Sequence, residues 1–148
     1  MLARMFKNKL QLMLVMSMVI LLASVRAFED ALFYDPFSNY FKSDYLNLPF
    51  PKYHPMFLFF SLALRYVFNA ILSLVIIKVL FKDWKLTEFA AVLYVVFFAV
   101  LITAFFLLIT YSDHSSNFIL FYVRRFLIQP LFLLLFVPAF YYQKLGKR

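Results

Sequence analysis

The sequence contains no cysteine and a single glycine, and only 7 of its 148 residues are acidic. Without cysteine, the chain can form neither a disulfide framework nor a thiol nucleophile nor a thiolate metal site, and its redox compartment stays open. With Gly146 as the only glycine, it can form neither a glycine-rich phosphate loop nor a nucleophile elbow of the hydrolase type. These absences remove several large classes of enzyme.

Apolar residues are what the sequence has in excess. They make up 66% of the chain and aromatic residues 22%, whereas charged residues make up only 15%. Soluble domains have roughly 45–50% apolar and about 25% charged residues. Four apolar runs, at about residues 10–27, 56–81, 88–111 and 118–142, have the length of a bilayer-spanning helix. We therefore predict an all-α, polytopic protein in which residues 1–148 form one membrane domain with four transmembrane helices.

Basic residues flank these runs unequally. If the N-terminus is inside, nine lysines and arginines lie on cytoplasmic flanks and three in outer loops, and the remaining three are arginines within the runs. By the positive-inside rule, both termini are cytoplasmic and the loop of residues 28–54 is periplasmic. This distribution explains the net charge of +8, so we expect no nucleic-acid partner.

The first run permits two interpretations. A basic start, an apolar stretch and the sequence Val25-Arg26-Ala27 resemble a signal peptide with its cleavage site. However, Arg26 directly before the cut and the length of the run favour an uncleaved first span.

The loop of residues 28–54 carries four acidic and nine aromatic residues. Asp35 followed by Pro36 is typical of a helix start, with aspartate as the cap and proline at the first helical position. Aromatic residues then recur at helical spacing, at Phe37, Tyr40, Phe41 and Tyr45. This pattern predicts a short amphipathic helix in the membrane interface. The alternative is a loop packed on the ends of the spanning helices.

Three arginines lie inside the predicted spans: Arg65, Arg124 and Arg125. A charge at the centre of a span costs roughly 2.5–3.5 kcal/mol, so each arginine is expected to have a partner or a polar cavity. Counted from the outer face along the helix, all three lie about 10–15 Å deep. Polar residues recur with Arg65 along the second span, at Ser61, Asn69 and Ser73, and predict one polar stripe. On the fourth span Arg125 shares a face with Tyr122 and Gln129, and Pro130 and Pro138 predict a kink.

No acid lies deep in any span, so the counter-ions have to come from elsewhere. Candidates are Asp113, the acids of the first loop, helix carbonyls, lipid phosphate or another protein. One hypothesis is a pocket open to the outer face that binds a carboxylate or phosphate, with Arg65 and Arg125 acting together. Its predicted residues are Arg65, Asn69, Arg124, Arg125 and Gln129. In the alternatives, Arg124 and Arg125 anchor the helix by reaching the headgroups, and Arg65 and Asn69 only hold neighbouring helices together.

Residue types suited to catalysis are sparse. The run Asp113-His114-Ser115 has the residue types of a hydrolase triad, but adjacent residues cannot converge as a triad does. His54 and His114 have no ligand spacing. We therefore predict no catalytic residue, no metal ligand and no cofactor.

Three stretches resemble the exosortase F system-associated membrane proteins of Bacteroidetes. They are FYDPFSNYFK at 33–42, LRYVFNAILSLVIIKVLF at 64–81 and LFYVRRFLIQPLFLLLFVPAFYYQK at 120–144. The last is the most specific, because RRFLIQP within a span is unusual. The resemblance implies the inner membrane of a Gram-negative bacterium and association with an exosortase, a polytopic cysteine transpeptidase-like enzyme that processes C-terminal sorting signals. It implies no biochemical activity for this chain, which lacks the cysteine such an enzyme needs.

Sequence and resemblance together predict a non-enzymatic accessory protein of an exosortase sorting system. Its arginine site would contact the exosortase or another membrane protein, a substrate tail or the lipid bilayer, while homo-oligomerisation is left open. One alternative is a small membrane enzyme or carrier that binds an anionic lipid or lipid-linked substrate. Another is a structural protein without a site.

Overall fold

A computed structural model describes residues 7–43, 49, 51–111, 117–129 and 131–147 of the chain. The described residues are helical and include no strand. In chain order the helices are α1 (Lys9–Ala27), α2 (Glu29–Leu32), α3 (Pro36–Lys42), α4 (Pro55–Phe81), α5 (Trp84–Tyr111), α6 (Asn117–Ile128) and α7 (Leu131–Gly146). Of these, α1, α4 and α5 are each long and apolar enough to cross a membrane. The prediction of an all-α membrane protein is confirmed at this level.

Helices α6 and α7 occupy the stretch of the fourth predicted span. They meet at an angle of 68° and reach the length and hydropathy of a span only as a pair. The break falls after Gln129, next to Pro130, which itself lies outside the described residues. Pro138 lies inside α7 without ending it. The expected distortion near Pro130 is therefore a break between two helices.

Helix α4 is the centre of the fold and packs against α1, α5, α6 and α7. Its predicted polar stripe, Ser61, Arg65, Asn69 and Ser73, is buried at every position. By contrast, the outward surfaces are apolar, as at Leu10, Phe57 and Val95, which are 67–69% exposed. A buried polar stripe and an exposed apolar surface are the arrangement expected in a bilayer, where acyl chains cover the apolar surface.

Aromatic side chains pack α7 against α5. Phe97 stacks on Phe132 with ring centroids 4.7 Å apart, and Tyr94 meets the edge of Phe136 at 5.3 Å. The hydroxyl of Tyr66 on α4 donates a hydrogen bond to the carbonyl of Tyr94 at 2.6 Å. Aromatic pairs of this kind contribute about 0.5–1.5 kcal/mol each beyond the area they bury. They hold the last helix in place although it is not continuous with α6.

The turn between α4 and α5 is shorter than the sequence suggested. Helix α5 begins at Trp84, whereas we expected the span to begin at residue 88. Asp83 explains the difference, because its Oδ1 accepts a hydrogen bond from the Leu86 amide at 3.3 Å and its carbonyl accepts one from Thr87 Oγ1 at 2.9 Å. Lys82 closes the turn with a left-handed φ of 51°.

Helix α1 lies on α4 with most of its surface exposed, and Leu22 is its one buried residue. Near its start, the side-chain amide of Gln11 donates a hydrogen bond to the carbonyl of Val79 at 2.7 Å. Near its end, Arg26 contacts Glu29 of α2. Two polar contacts thus tie a helix whose remaining surface suits lipid.

Candidate functional site

Asp35 lies just before α3 and has two structural roles. Its Oδ1 accepts a hydrogen bond from the Phe37 amide at 3.1 Å, which caps the helix as predicted. Its Oδ2 accepts hydrogen bonds from Nη1 of Arg65, at 2.7 Å, and from Nη2 of Arg124. The side chain of Asp35 is only 3% exposed. One carboxylate therefore begins α3 and is shared by arginines from two other helices.

Glu29 supplies the second carboxylate. Its Oε2 accepts hydrogen bonds from Nη2 of Arg65 at 2.6 Å and from Nη1 of Arg26 at 2.7 Å. Arg65 thus uses its two terminal nitrogens on two different carboxylates, which the planar fork of a guanidinium allows. The ring of Phe33 lies 5.4 Å from the guanidinium carbon of Arg65. Arg65 is only 1% exposed, and both of its terminal nitrogens donate to carboxylates that it shares with other arginines.

These contacts form one alternating series, Arg26, Glu29, Arg65, Asp35 and Arg124, which we call the ion chain. It joins α1, α2, α4 and α6 to the start of α3. Acids of the first loop were among the candidate counter-ions, and the structure selects Glu29 and Asp35 from them. Asp113, another candidate, lies outside the described residues.

The expected partnership of Arg65 with Arg125 is not the one observed. Arg65 shares Asp35 with Arg124, whereas Arg125 is exposed and forms no ion pair within the described part of the chain. Adjacent residues on a helix point about 100° apart, so only one of the two arginines can face α4. The sequence placed all three arginines at similar depths, about 10–15 Å, and so could not tell which of them faces α4. Since Arg65 has two internal carboxylates, it needs no external anion.

Asn69 supports the break between α6 and α7. Its Nδ2 donates a hydrogen bond to the carbonyl of Ile128, the last residue of α6, at 2.9 Å. Because the helix does not continue past this point, that carbonyl lacks the partner a regular helix would give it. This contact agrees with the alternative in which Asn69 holds neighbouring helices together.

Arg125 and Gln129 lie one turn apart on the same face of the chain, as predicted. Nε of Arg125 donates a hydrogen bond to Oε1 of Gln129 at 3.1 Å. No other described residue bonds to the guanidinium of Arg125, so neither terminal nitrogen has a partner in the described part of the chain. The contact with Gln129 orients the guanidinium and leaves free the fork that binds carboxylate or phosphate.

A cavity of about 220 Å³ adjoins the ion chain. We call it the arginine pocket. It is lined by Arg26, Glu29, Ser38, Phe41, Lys42, Phe121, Arg124, Arg125, Ile128 and Gln129. Four of these residues are cations and one is an acid, so the lining is positive. Three predicted site residues, Arg124, Arg125 and Gln129, line it, whereas Arg65 and Asn69 do not.

One side of the pocket is fixed by contacts between α2 and α3. Asp30 accepts hydrogen bonds from Lys42 Nζ and from Ser38 Oγ, both at 2.8 Å. These bonds, that of Lys42 most strongly, hold the pKa of Asp30 below its usual value. Both members of the Lys42–Asp30 pair are well exposed, so the pair adds little stability but positions Lys42 at the pocket.

Of the polar residues that line the arginine pocket, sequence reasoning missed three, Arg26, Ser38 and Lys42, and included Glu29 only among the possible counter-ions. Arg26 was interpreted only as a flank of the first span. A signal was present, because Arg26 and Glu29 stand three residues apart, a spacing at which opposite charges meet on a helix. Ser38 and Lys42 were assigned only to the polar side of α3.

The described residues contain no group of three or more histidine, aspartate or glutamate side chains that could hold a metal ion. No family model, curated protein or solved structure matches this chain. Function is therefore inferred from the chemistry of the arginine pocket.

Proposed function

We propose that this protein is a non-enzymatic accessory component of an exosortase protein-sorting system. In this proposal the arginine pocket binds an anionic group of the partner enzyme, of the substrate tail or of lipid held in the complex. The observation that carries it is the guanidinium fork of Arg125 in a positive cavity, where its terminal nitrogens bond to no described residue and the neighbouring arginines share acids within the fold. The sorting system itself is suggested by the resemblance in the first loop and the second and fourth spans.

The charges around the pocket support an external anion. Arg26 and Arg65 share Glu29, Arg65 and Arg124 share Asp35, and Lys42 pairs with Asp30. Of the cations in the lining, Arg125 is the one that no described acid neutralises. An exposed arginine at this position is favourable only with an oxygen acceptor nearby.

An enzyme or carrier is the less supported alternative. The one acid in the lining, Glu29, accepts hydrogen bonds from two arginines. Its Oε2 is therefore held by two cations and is not free to contact a substrate. The lining residues therefore suit binding better than catalysis.

The proposal includes a membrane setting. Helices α6 and α7 together form a broken fourth span, α3 lies in the outer interface, and both termini face the cytoplasm of the inner membrane. Support comes from the unequal distribution of basic residues and from the packing of α3 on a spanning helix, where the ring of Phe37 lies 5.8 Å from that of Phe105 on α5. The contacts of Gln11 and Arg26 with the rest of the fold favour an uncleaved α1.

Cysteine labelling tests this orientation without background, because the chain has no cysteine of its own. Asn39→Cys and Gln143→Cys place single thiols on exposed positions of α3 and α7. In intact spheroplasts, an impermeant maleimide is expected to label Asn39→Cys, and Gln143→Cys only after permeabilisation. Labelling of Gln143→Cys but not of Asn39→Cys in intact spheroplasts would show that the orientation is the reverse of the proposed one. An intact mass that includes α1 is expected from the same samples.

Arg125→Gln is expected to impair the proposed function. The tagged protein, extracted in mild detergent from membranes that contain an exosortase, should capture at least about tenfold less of the enzyme, since a charge-assisted hydrogen bond contributes about 1.5–3 kcal/mol. Processing of sorting signals should fall in parallel. Arg125→Lys keeps the charge but loses the guanidinium fork. Its capture and processing should lie between those of the wild type and of Arg125→Gln.

Lys52→Gln serves as the matched control. Lys52 is an exposed cation in the loop before α4 and does not line the arginine pocket. It should leave capture and processing unchanged. Wild-type capture and processing by Arg125→Gln would refute the proposed function.

A further inference from the structure

We propose that the anion bound by the arginine pocket is the phosphodiester headgroup of a lipid in the outer leaflet. This inference rests on the proposed function, because it concerns the same pocket. It adds the chemical class of the ligand. An acidic protein tail is the competing occupant, and the test below separates the two.

The size of the cavity suits a headgroup. Its volume of about 220 Å³ is below the roughly 300–1,000 Å³ of pockets that enclose whole small molecules. A phosphate and the adjoining glycerol are compact, and the acyl chains of the lipid would remain outside. A compact polar site of this volume can take the phosphate while the rest of the lipid lies outside it.

Donors in the pocket come from several directions. The terminal nitrogens of Arg125 have no described partner, and Arg26 and Lys42 contribute further cations from α1 and α3. Nε of Arg124 is buried and makes no hydrogen bond with a described residue. Several donors around one cavity match a tetrahedral phosphate, whose oxygens point to several sides, better than a planar carboxylate with two oxygens.

The surface next to Arg125 is apolar and exposed. Phe118 and Tyr122 precede Arg125 on the same face of α6, are 57% and 44% exposed, and pack edge to face with ring centroids 4.9 Å apart. In a bilayer this surface contacts acyl chains, and aromatic rings are enriched at the level of the headgroups. A protein tail would place backbone polar groups against it at a cost, whereas a lipid places its own chains there.

The position of Arg125 along α6 fits the same ligand. It lies eight residues after Asn117, which begins the helix, or about 12 Å along it. A long arginine side chain reaches from this depth toward the headgroups. The lysine and arginine contributed by α3 and the end of α1 approach from the interface, so the pocket spans the level at which lipid phosphates lie.

Native mass spectrometry of the purified full-length protein tests the inference. The probes are dioleoyl phosphatidylglycerol, inorganic phosphate and an acetylated peptide that ends in two glutamates, each titrated separately. One phosphatidylglycerol per chain is expected to bind, and Arg125→Gln should weaken it at least about tenfold. Lys52→Gln should bind like the wild type, and Arg125→Lys should show a smaller loss because it keeps the charge without the fork.

Three outcomes would overturn the inference. Equal binding of phosphatidylglycerol by the wild type and Arg125→Gln would place the lipid elsewhere. Binding of inorganic phosphate as tight as that of the lipid would make the ligand a soluble anion. Binding of the acidic peptide in preference to the lipid would assign the pocket to a protein tail.

The two proposals fail separately. Lipid binding that depends on Arg125, together with normal capture of the exosortase by Arg125→Gln, supports the lipid site and refutes the accessory role of the pocket. Loss of capture by Arg125→Gln with unchanged lipid binding supports the accessory role of the pocket and refutes the lipid site.

Discussion

Replacement of Asp35 by asparagine should lower the free energy of unfolding by about 3–5 kcal/mol. Asp35 is the carboxylate shared by Arg65 and Arg124, and both arginines are buried. Without it, Arg124 keeps no acid and Arg65 keeps only Glu29. Removing one partner of a buried ion pair is strongly destabilising because the other charge stays buried without compensation. Asparagine is isosteric and also caps helices well, so the helix start at α3 is preserved.

Reversible unfolding by titration of sodium dodecyl sulfate into mixed micelles measures this difference. The matched control is Asp30→Asn, which removes an aspartate from the same short segment. Because Asp30 and Lys42 are 59% and 60% exposed, this change should leave the midpoint of the titration nearly unchanged. Similar costs for Asp35→Asn and Asp30→Asn would mean that Asp35 is not a buried counter-ion.

Arg65→Met should destabilise the protein less than Asp35→Asn does, by about 1.5–3 kcal/mol, although it removes a charge from the middle of a span. On the sequence alone, replacing a membrane arginine by an apolar residue would be expected to favour insertion. In the structure, the substitution leaves Asp35 with Arg124 and Glu29 with Arg26, after each loses its bond to the fully buried Arg65. Methionine fills similar space, so the loss reports the ion chain more than a cavity.

A second change should reveal the cause. Combining Arg65→Met with Glu29→Gln removes a cation and one of its acids together. The double substitution should cost about 0.5–3 kcal/mol less than the sum of the two single costs, because residues in direct contact are not additive. If Arg65→Met is as stable as the wild type in the same titration, the hydrogen bonds of Arg65 to Glu29 and Asp35 contribute nothing to stability.

Much of the fold was accessible from the sequence because it depends on local patterns. Apolar runs placed α1, α4 and α5, and the four-residue recurrence on α4 identified the stripe that the structure buries. The Asp35-Pro36 pair predicted the start of α3 for a chemical reason that holds locally, since the aspartate accepts a bond from an amide two residues on. Such features need no knowledge of how helices pack.

The pairing of charges was not accessible in the same way. Asp35 is 30 residues from Arg65 and 89 residues from Arg124, and Glu29 is 36 residues from Arg65. Depth along a helix set all three arginines at one level, but rotation about the helix axis decides which one faces α4. That rotation is fixed by packing. It buries Arg124 and exposes Arg125, and it thereby decides which arginine is free for a ligand.

A double-mutant cycle between Asp35 and Arg124 tests most directly whether the first loop supplies the counter-ions of the membrane arginines. The free energies of unfolding of the wild type, Asp35→Asn, Arg124→Gln and the double variant are measured in the same micelles. The ion chain predicts a coupling of about 1–3 kcal/mol, with the double variant less damaged than the sum of the single variants. Single effects that add to within about 0.5 kcal/mol would show that the two residues are independent and would contradict the ion chain.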